Sequence, residues 1–433
     1  MAKRWLLLSG LLVLAGFLAL LPVPRIDGHI AGSDGLCYFA VLRSVAVDHD
    51  LDLANDYALL GVEPYAPTPL GRPGAPFSVG TPVLWAPFFA LAGLVSVIAP
   101  ALGGAGGAPG TGALFESFVC VATILYAIAG LWLVFRTVRK VLDDEFAAAC
   151  AALAMWWATS LIEYTLAEPS MSHGASFFVN AVFLALWCRP RTYGTLRPWL
   201  EMGAAAGLVA LVRTQEAPLV LLPACAIVAD AARGRVPVGR AVAALARFGT
   251  AFGLVFLPQV MFWHAVYGAW FTVPQGNDFM RWGSPQPDLI LFSGRHGLIT
   301  WHPVILLALF GLVPLWHTDK RLARSVAAVF LMQLYVNSVV SQWWAGDAFG
   351  GRRFCGVLPW LALPLGAAAM QAAAARGRTF VGCVLLAFLL WNGLSLAQYR
   401  LGFVSRSERL TWRQLTVDRL VVPVTILRRA LHR

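Results

Sequence analysis

Apolar runs of roughly 17–25 residues, each long enough to cross hydrocarbon as a helix, recur along the whole chain. Eleven of them lie near 5–21, 113–135, 146–162, 172–188, 198–212, 217–232, 241–266, 303–317, 323–341, 356–374 and 379–398. Inside lipid every backbone N–H and C=O must be satisfied within its own segment, which leaves helix as the solution for runs of this kind. Composition agrees: the chain is 59% hydrophobic, and its charged fraction of 13% is well under the usual level of roughly 25%. The expected class is an all-α polytopic membrane protein. The leading run, Trp5 to Leu21 behind Lys3 and Arg4, reads as a retained first helix with a cytoplasmic N-terminus, because no small-residue cleavage site follows it.

The net charge of +11 does not point to nucleic acid. In a membrane chain, basic loop residues are topology signals or contacts to lipid phosphates. The seven cysteines are scattered without CxxC spacing and read as small core residues, not as a disulfide or zinc framework.

Five short loops are basic: 136–140, 189–197, 233–240, 319–324 and 376–378. The positive-inside rule puts them all in the cytoplasm. From a cytoplasmic N-terminus this requires that one further apolar run, at 79–101 and carrying Pro82, Pro87 and Pro100, stays on the outer side as a juxtamembrane segment. The expectation is about eleven crossings plus that segment. Residues 1–400 would form one transmembrane domain with a first outer loop at 24–112. The basic tail at 401–433 would lie outside, although eight arginines fall between Arg400 and Arg433. On this topology the loops richest in acids, histidines, tryptophans and paired arginines all face outward.

The first of them reads "SDGLCYFAVLRSVAVDHDLDLANDY" from Ser33 to Tyr57, and a late one reads "SQWWAGDAFGGRRF" from Ser341 to Phe354. Together with the order of helices and loops, these resemble the GT-C superfamily of membrane glycosyltransferases. The closer likeness is to its bacterial branch similar to the dolichyl-phosphate-mannose–protein mannosyltransferases. Ser33-Asp34-Gly35-Leu36-Cys37-Tyr38 fits a first-loop pattern of Gly-Asp-Glu-Pro-x-Tyr, and "HDLDLANDY" fits its second half. One position departs from the pattern: Gly35 stands where an acid usually follows the first Asp.

The resemblance implies a sugar donor linked to a polyprenyl phosphate, and a glycan, lipid or protein acceptor in the cell envelope. It implies an enzyme of the inner membrane whose site faces outward, transferring a hexosyl or pentosyl group with inversion. It also implies that Asp34 is the general base, deprotonating the acceptor as it attacks the anomeric carbon. The plainer reading of Asp34 is a turn or helix N-cap acid before the helix that follows. Arg213, Arg295, Arg352 and Arg353 suit the donor phosphate, because a guanidinium makes bidentate, charge-assisted bonds; interfacial snorkelling is the alternative. Glu168, His173, His296, Trp343, Trp344 and Asp347 are candidates for acceptor or sugar contacts, with Glu163 and His302 as further rim residues. Asp48, Asp50 and Asp52, spaced by two, can bring oxygens toward a divalent ion, although the glycine and final glutamate of an EF-hand are missing. The sequence requires no other cofactor: it has no GxxxxGK, and no GxGxxG in a strand–helix setting. Two rival readings are a flippase for lipid-linked sugars and an accessory protein that binds an envelope lipid.

Overall fold

The computed structural model describes residues 2–21, 28–98, 100 and 108–431. The chain is built of helices, with one two-stranded antiparallel ribbon, Tyr65–Pro67 against Pro73–Gly74, among the described residues. Helix bounds follow the apolar runs closely: Ala113–Leu142, His173–Trp187, Arg197–Val212, Val238–Tyr267 and Arg378–Arg400.

The chain divides into two compact units. One contains Gly10–Gly130 and Tyr164–Phe279; the other contains Met1–Ser9, Leu131–Glu163 and Met280–Arg433. In the first, an aromatic core of Tyr38, Phe39, Trp85, Phe89, Phe115, Phe262 and Trp263 packs the Ser33–Arg43 helix against Gly80–Ile98. Tyr38 meets Trp85 edge-on at 6.1 Å, a favoured aromatic geometry. Arg197–Val212 lies along Val238–Tyr267. This close approach depends on Gly203 and Gly207, where a Cβ would fall 2.2 Å and 2.8 Å from the carbonyl oxygens of Phe248 and Phe252. Small residues four apart let two membrane helices touch backbone to backbone.

In the second unit the alanine-rich Glu145–Trp157 helix packs on Leu358–Arg376. It begins at Asp144, whose side chain accepts from the Ala147 N–H at 2.9 Å, an N-cap that satisfies one orphan donor. Asp319 does the same for Lys320–Ser338, accepting from Arg321 and Leu322. The tail forms three short helices after Arg400. Two of its arginines turn inward: Arg400 Nε donates to Glu163 Oε2 at 3.0 Å, and Arg419, 0% exposed, stacks over Trp391 at 4.7 Å. The tail is thus partly a packed layer.

Seven described helices are long and apolar enough to span, and an eighth is available if Glu145–Trp157 and Ser160–Leu166, bent by 62°, form one broken span. Eleven had been expected. His173–Trp187 has only 15 residues, about 23 Å at the helical rise, short of a hydrocarbon core of roughly 30 Å. Gly80–Ile98, inside the run expected to stay on the outer side, is itself a 19-residue helix of spanning length. Sidedness distinguishes the two arrangements. Single cysteines replacing Glu63, Ala113 and Arg139 in a cysteine-free background are expected to label with an impermeant thiol reagent at Glu63 and Ala113 and to be protected at Arg139. Opposite sidedness of Glu63 and Ala113 would mean that Gly80–Ile98 crosses. The glycine-rich residues 101–107, between Gly80–Ile98 and Ala113–Leu142, lie outside the described residues.

Candidate active site

Asp34 sits in the first turn of the Ser33–Arg43 helix, and the cap position belongs to Gly32, which has no side chain. The N-cap reading of Asp34 therefore does not describe its place. A carboxylate in a first turn is favoured by the helix dipole. The backbone entering the turn is fastened from elsewhere in the same unit. Glu116, buried in the Ala113–Leu142 helix, accepts the N–H of Ile30 at 2.6 Å and of Ala31 at 2.9 Å through one oxygen, and meets His29 Nδ1 at 2.6 Å through the other. Ser170 Oγ accepts the Gly32 N–H at 2.8 Å. The last of these takes up a donor that a helix N-terminus otherwise leaves unsatisfied, and the others fix the chain leading into it.

The same serine accounts for Gly35. A Cβ there would fall 2.3 Å from Ser170 Oγ and 2.9 Å from the Ser170 carbonyl oxygen. The acid that usually follows Asp has no room, so a single carboxylate stands at this turn. Gly35→Glu is expected to lower the apparent melting temperature in detergent. Ser170→Gly, which removes only the side-chain part of the clash, should recover part of that loss.

Asp34, His29, Cys37, Glu63 and Tyr65 line a cavity of about 370 Å³. Its lip, Gly61 and Glu63 to Tyr65, is exposed. Cys37 Sγ lies 3.6 Å from the Tyr65 hydroxyl, and burial pushes its thiol up to about 12. A protonated thiol is a poor nucleophile, which leaves Asp34 and Glu63 as the carboxylates of the cavity wall.

The helix ends at Arg43, which anchors the rest of the acidic loop. Arg43 Nη1 donates at 2.6 Å to both Asp48 and Asp56, and its Nε donates to the Pro109 carbonyl at 3.0 Å. Asp50 accepts from Ser44 Oγ and from the Asp52 N–H, and Asp52 accepts from the Ala54 N–H. The divalent site expected at Asp48, Asp50 and Asp52 is therefore not assembled. These oxygens brace the arginine and the turns, and no group of three or more His, Cys, Asp or Glu among the described residues is arranged to hold an ion.

Three other expected residues lie in this unit. Arg213 Nη1 donates to Ser172 Oγ at 2.8 Å and lies 3.1 Å from His173 Nδ1, with Glu216 3.5 Å from its Nε. His173 is buried, its ring 4.4 Å from that of Tyr164. Glu168 lies beside Gly32, where a Cβ would meet its carboxyl carbon at 3.7 Å. The chain thus brings Glu168 up to the start of the Asp34 helix, and sets His173 against Arg213.

In the other unit the segments at 293–302 and 341–357 come together. His296 Nδ1 bonds the Trp344 carbonyl at 2.8 Å, its Nε2 bonds the Arg406 carbonyl at 2.9 Å, and Arg295 stacks on Trp344 at 4.2 Å. Burial lowers the His296 pKa, and the two carbonyl partners pull the other way. His296 and Ala345 both adopt positive φ, at 64° and 62°, an uncommon conformation outside glycine and a frequent mark of functional loops. Trp343 meets Trp344 edge-on at 5.8 Å, and the carbonyl of exposed Asp347 accepts from the Tyr399 hydroxyl at 2.7 Å. Arg352 and Arg353 open the 3-10 turn Arg352–Val357. Glu163 is occupied by Arg400, and His302, fully buried, meets Asn392 at 3.0 Å, so neither is a rim group.

Sequence reasoning missed Glu116, Ser170, Glu63 and Tyr65. Glu116 left a signal, as the one acid in the apolar run at 113–135, where an ionisable group is costly unless used. Ser170 left none.

No family model and no curated sequence matches the chain. Solved structures do. The oligosaccharyltransferase of Archaeoglobus fulgidus, crystallised with zinc and sulfate, matches with a TM-score of 0.53 at 12% identity, over 94% of this chain and 54% of that one. The same organism's oligosaccharyltransferase AglB, in complex with an inhibitory peptide and a dolichol-phosphate, matches with a TM-score of 0.51 at 11% identity, over 98% and 54%. ArnT from Cupriavidus metallidurans in the apo state matches with a TM-score of 0.51 at 14% identity, over 98% and 72%. The chain thus spans about half the length of the archaeal protein. At these identities the likeness is one of fold alone, shared with the archaeal oligosaccharyltransferase and with ArnT.

Proposed function

We propose that this chain is an integral-membrane glycosyltransferase. It moves a sugar from a polyprenyl-phosphate carrier to an envelope acceptor at the outer face of the inner membrane. The observation that carries the reading is Asp34, a carboxylate on a cavity wall in a turn fixed by Glu116 and Ser170. The shared fold supports it, since AglB of that fold is known in complex with a dolichol-phosphate.

In this reading the acceptor hydroxyl attacks the anomeric carbon while Asp34 takes its proton. The bond from the anomeric carbon to the phosphate oxygen breaks, its electrons stay with that oxygen, and the configuration inverts. The departing lipid phosphate needs positive charge. Arg213 supplies it in the unit that carries Asp34, and Arg295, Arg352 and Arg353 are the candidates in the other. Glu168, His173, His296, Trp343, Trp344 and Asp347 remain candidates for orienting sugar or acceptor.

The direct test incubates purified protein in detergent with a panel of polyprenyl-phosphate hexoses and pentoses, and follows release of the free lipid phosphate. Release with at least one donor is the expected result. No release with any donor, alongside energy-dependent movement of the intact lipid-linked sugar across liposomes, would replace the transferase reading with that of a flippase.

A further inference from the structure

The turn after the Arg197–Val212 helix carries a buried acid that the proposed transfer does not use. Glu216 is 2% exposed, and its N–H donates to the Arg213 carbonyl at 2.8 Å. Both of its carboxylate oxygens are engaged from the His173–Trp187 helix: Ser176 Oγ donates to Oε1 at 2.7 Å, and Asn180 Nδ2 donates to Oε2 at 2.7 Å. Ser172, Ser176 and Asn180 recur at every fourth residue and so share one helix face. The first of them accepts from Arg213 Nη1 at 2.8 Å, and His173 Nδ1 lies 3.1 Å from the same nitrogen. One polar stripe thus holds both members of the Arg213–Glu216 pair, whose Nε and Oε1 are 3.5 Å apart. Ser78 pins the turn from a third segment, accepting the Thr214 N–H at 3.2 Å. Ionisable groups among apolar helices are costly unless they are used. Arg213 is the partly open member of the pair, its side chain 11% exposed. With Nη1 and Nε turned to these neighbours, Nη2 has no hydrogen-bond partner among the described residues and is the edge open to an anion.

We infer that Glu216 is the positioning residue of the donor-phosphate subsite: held by Ser176 and Asn180, it fixes the guanidinium of Arg213 so that Nη2 meets the lipid phosphate. This rests on the transferase reading above, in which Arg213 receives that phosphate, and adds the groups that orient it. Glu216 touches neither sugar nor phosphate and takes no part in bond making. Positioning and mere counter-charge have opposite signs here. A carboxylate beside Arg213 repels an incoming phosphate, so neutralising it would by charge alone tighten binding. Loss of a positioning group weakens binding, because a binding side chain works only when its neighbours lock it near the productive geometry.

Binding of farnesyl phosphate, a short prenyl phosphate, is measured by titration calorimetry on the full-length protein in detergent, with farnesol as the uncharged control. Glu216→Gln is expected to weaken the phosphate about tenfold, near the lower end for loss of a charge-assisted bond, and to leave farnesol unchanged. Ser176→Ala keeps every charge and should weaken the phosphate in the same direction by a smaller factor. Arg213→Ala should cost at least as much as Glu216→Gln, and adding Glu216→Gln to it should cost nothing more. Melting temperatures are recorded on the same preparations, and if Glu216→Gln does not fold, Ser176→Ala decides the question. Equal or tighter phosphate binding by folded Glu216→Gln, or no change in Ser176→Ala, would overturn the positioning role while a weakened Arg213→Ala kept Arg213 at the phosphate. Unchanged binding by Arg213→Ala would overturn both. If the variants follow the expected order while no lipid-linked donor is consumed, the transferase reading fails and the positioning of Arg213 stands.

Discussion

Asp34→Asn is expected to reduce sugar transfer by about a hundredfold to ten-thousandfold, the range for loss of a positioned general base. Asparagine keeps the shape and most of the hydrogen-bonding capacity of the side chain, but it cannot take a proton at neutral pH. The backbone donors of Ile30, Ala31 and Gly32, just ahead of the turn, are held by Glu116 and Ser170. Loss of the carboxylate–dipole interaction at a helix N-terminus is expected to cost about 0.3–1 kcal/mol of stability. Donor affinity should also survive, since the phosphate is assigned to arginines. The measurement is release of lipid phosphate under single-turnover conditions, with donor binding and apparent melting temperature recorded on the same preparations. A variant that melts and binds donor normally but does not turn over is the expected outcome. Near-normal turnover by a well-folded Asn variant would remove Asp34 from the base role and shift attention to Glu168, beside Gly32.

Helices were legible because an apolar run in lipid has few alternatives. The bounds of Arg197–Val212 and Val238–Tyr267 fall within about a turn of the runs that predicted them. What the run lengths did not disclose was how many helices reach across. Length is a soft criterion near 15 residues, and breaks such as that between Trp157 and Ser160 depend on packing. The candidate residues divide in the same way. Asp34 was legible because its neighbours form a motif. Asp48, Asp50 and Asp52 looked alike in sequence, but the guanidinium that claims Asp48 lies five residues upstream and the hydroxyl that claims Asp50 six. Spacing by two described an ion site that these partners pre-empt. Ser170 acts across 138 residues on Gly32, a relation that no local pattern encodes.

The ion cluster behind the Asp34 helix gives the largest stability effect. Arg43 is 5% exposed and Asp56 is 0% exposed. Burial alone would lower the Arg43 pKa, but the bonds and charges of Asp56 and Asp48 outweigh it and leave it raised, so the guanidinium stays charged. Burial pushes the Asp56 carboxyl up against the pull of Arg43. Removing one member of a buried pair leaves an uncompensated charge, at a cost of about 3–5 kcal/mol, whereas replacing both by apolar groups is often near neutral. Arg43→Met is therefore expected to destabilise the protein by that amount, and the double variant Arg43→Met/Asp56→Leu to recover most of it. The pH dependence has a definite sign. Without Arg43 the folded-state pKa of Asp56 rises further above its unfolded value, so the folded state binds a proton more readily than the unfolded one. The deficit of Arg43→Met should then shrink toward acid pH and grow as pH rises through the folded-state pKa. Thermal unfolding in detergent across that range checks both statements. A deficit that does not vary with pH, or a double variant no more stable than the single one, would mean that Arg43 contributes mainly through its packed stem and its bond to the Pro109 carbonyl, and not by compensating Asp56.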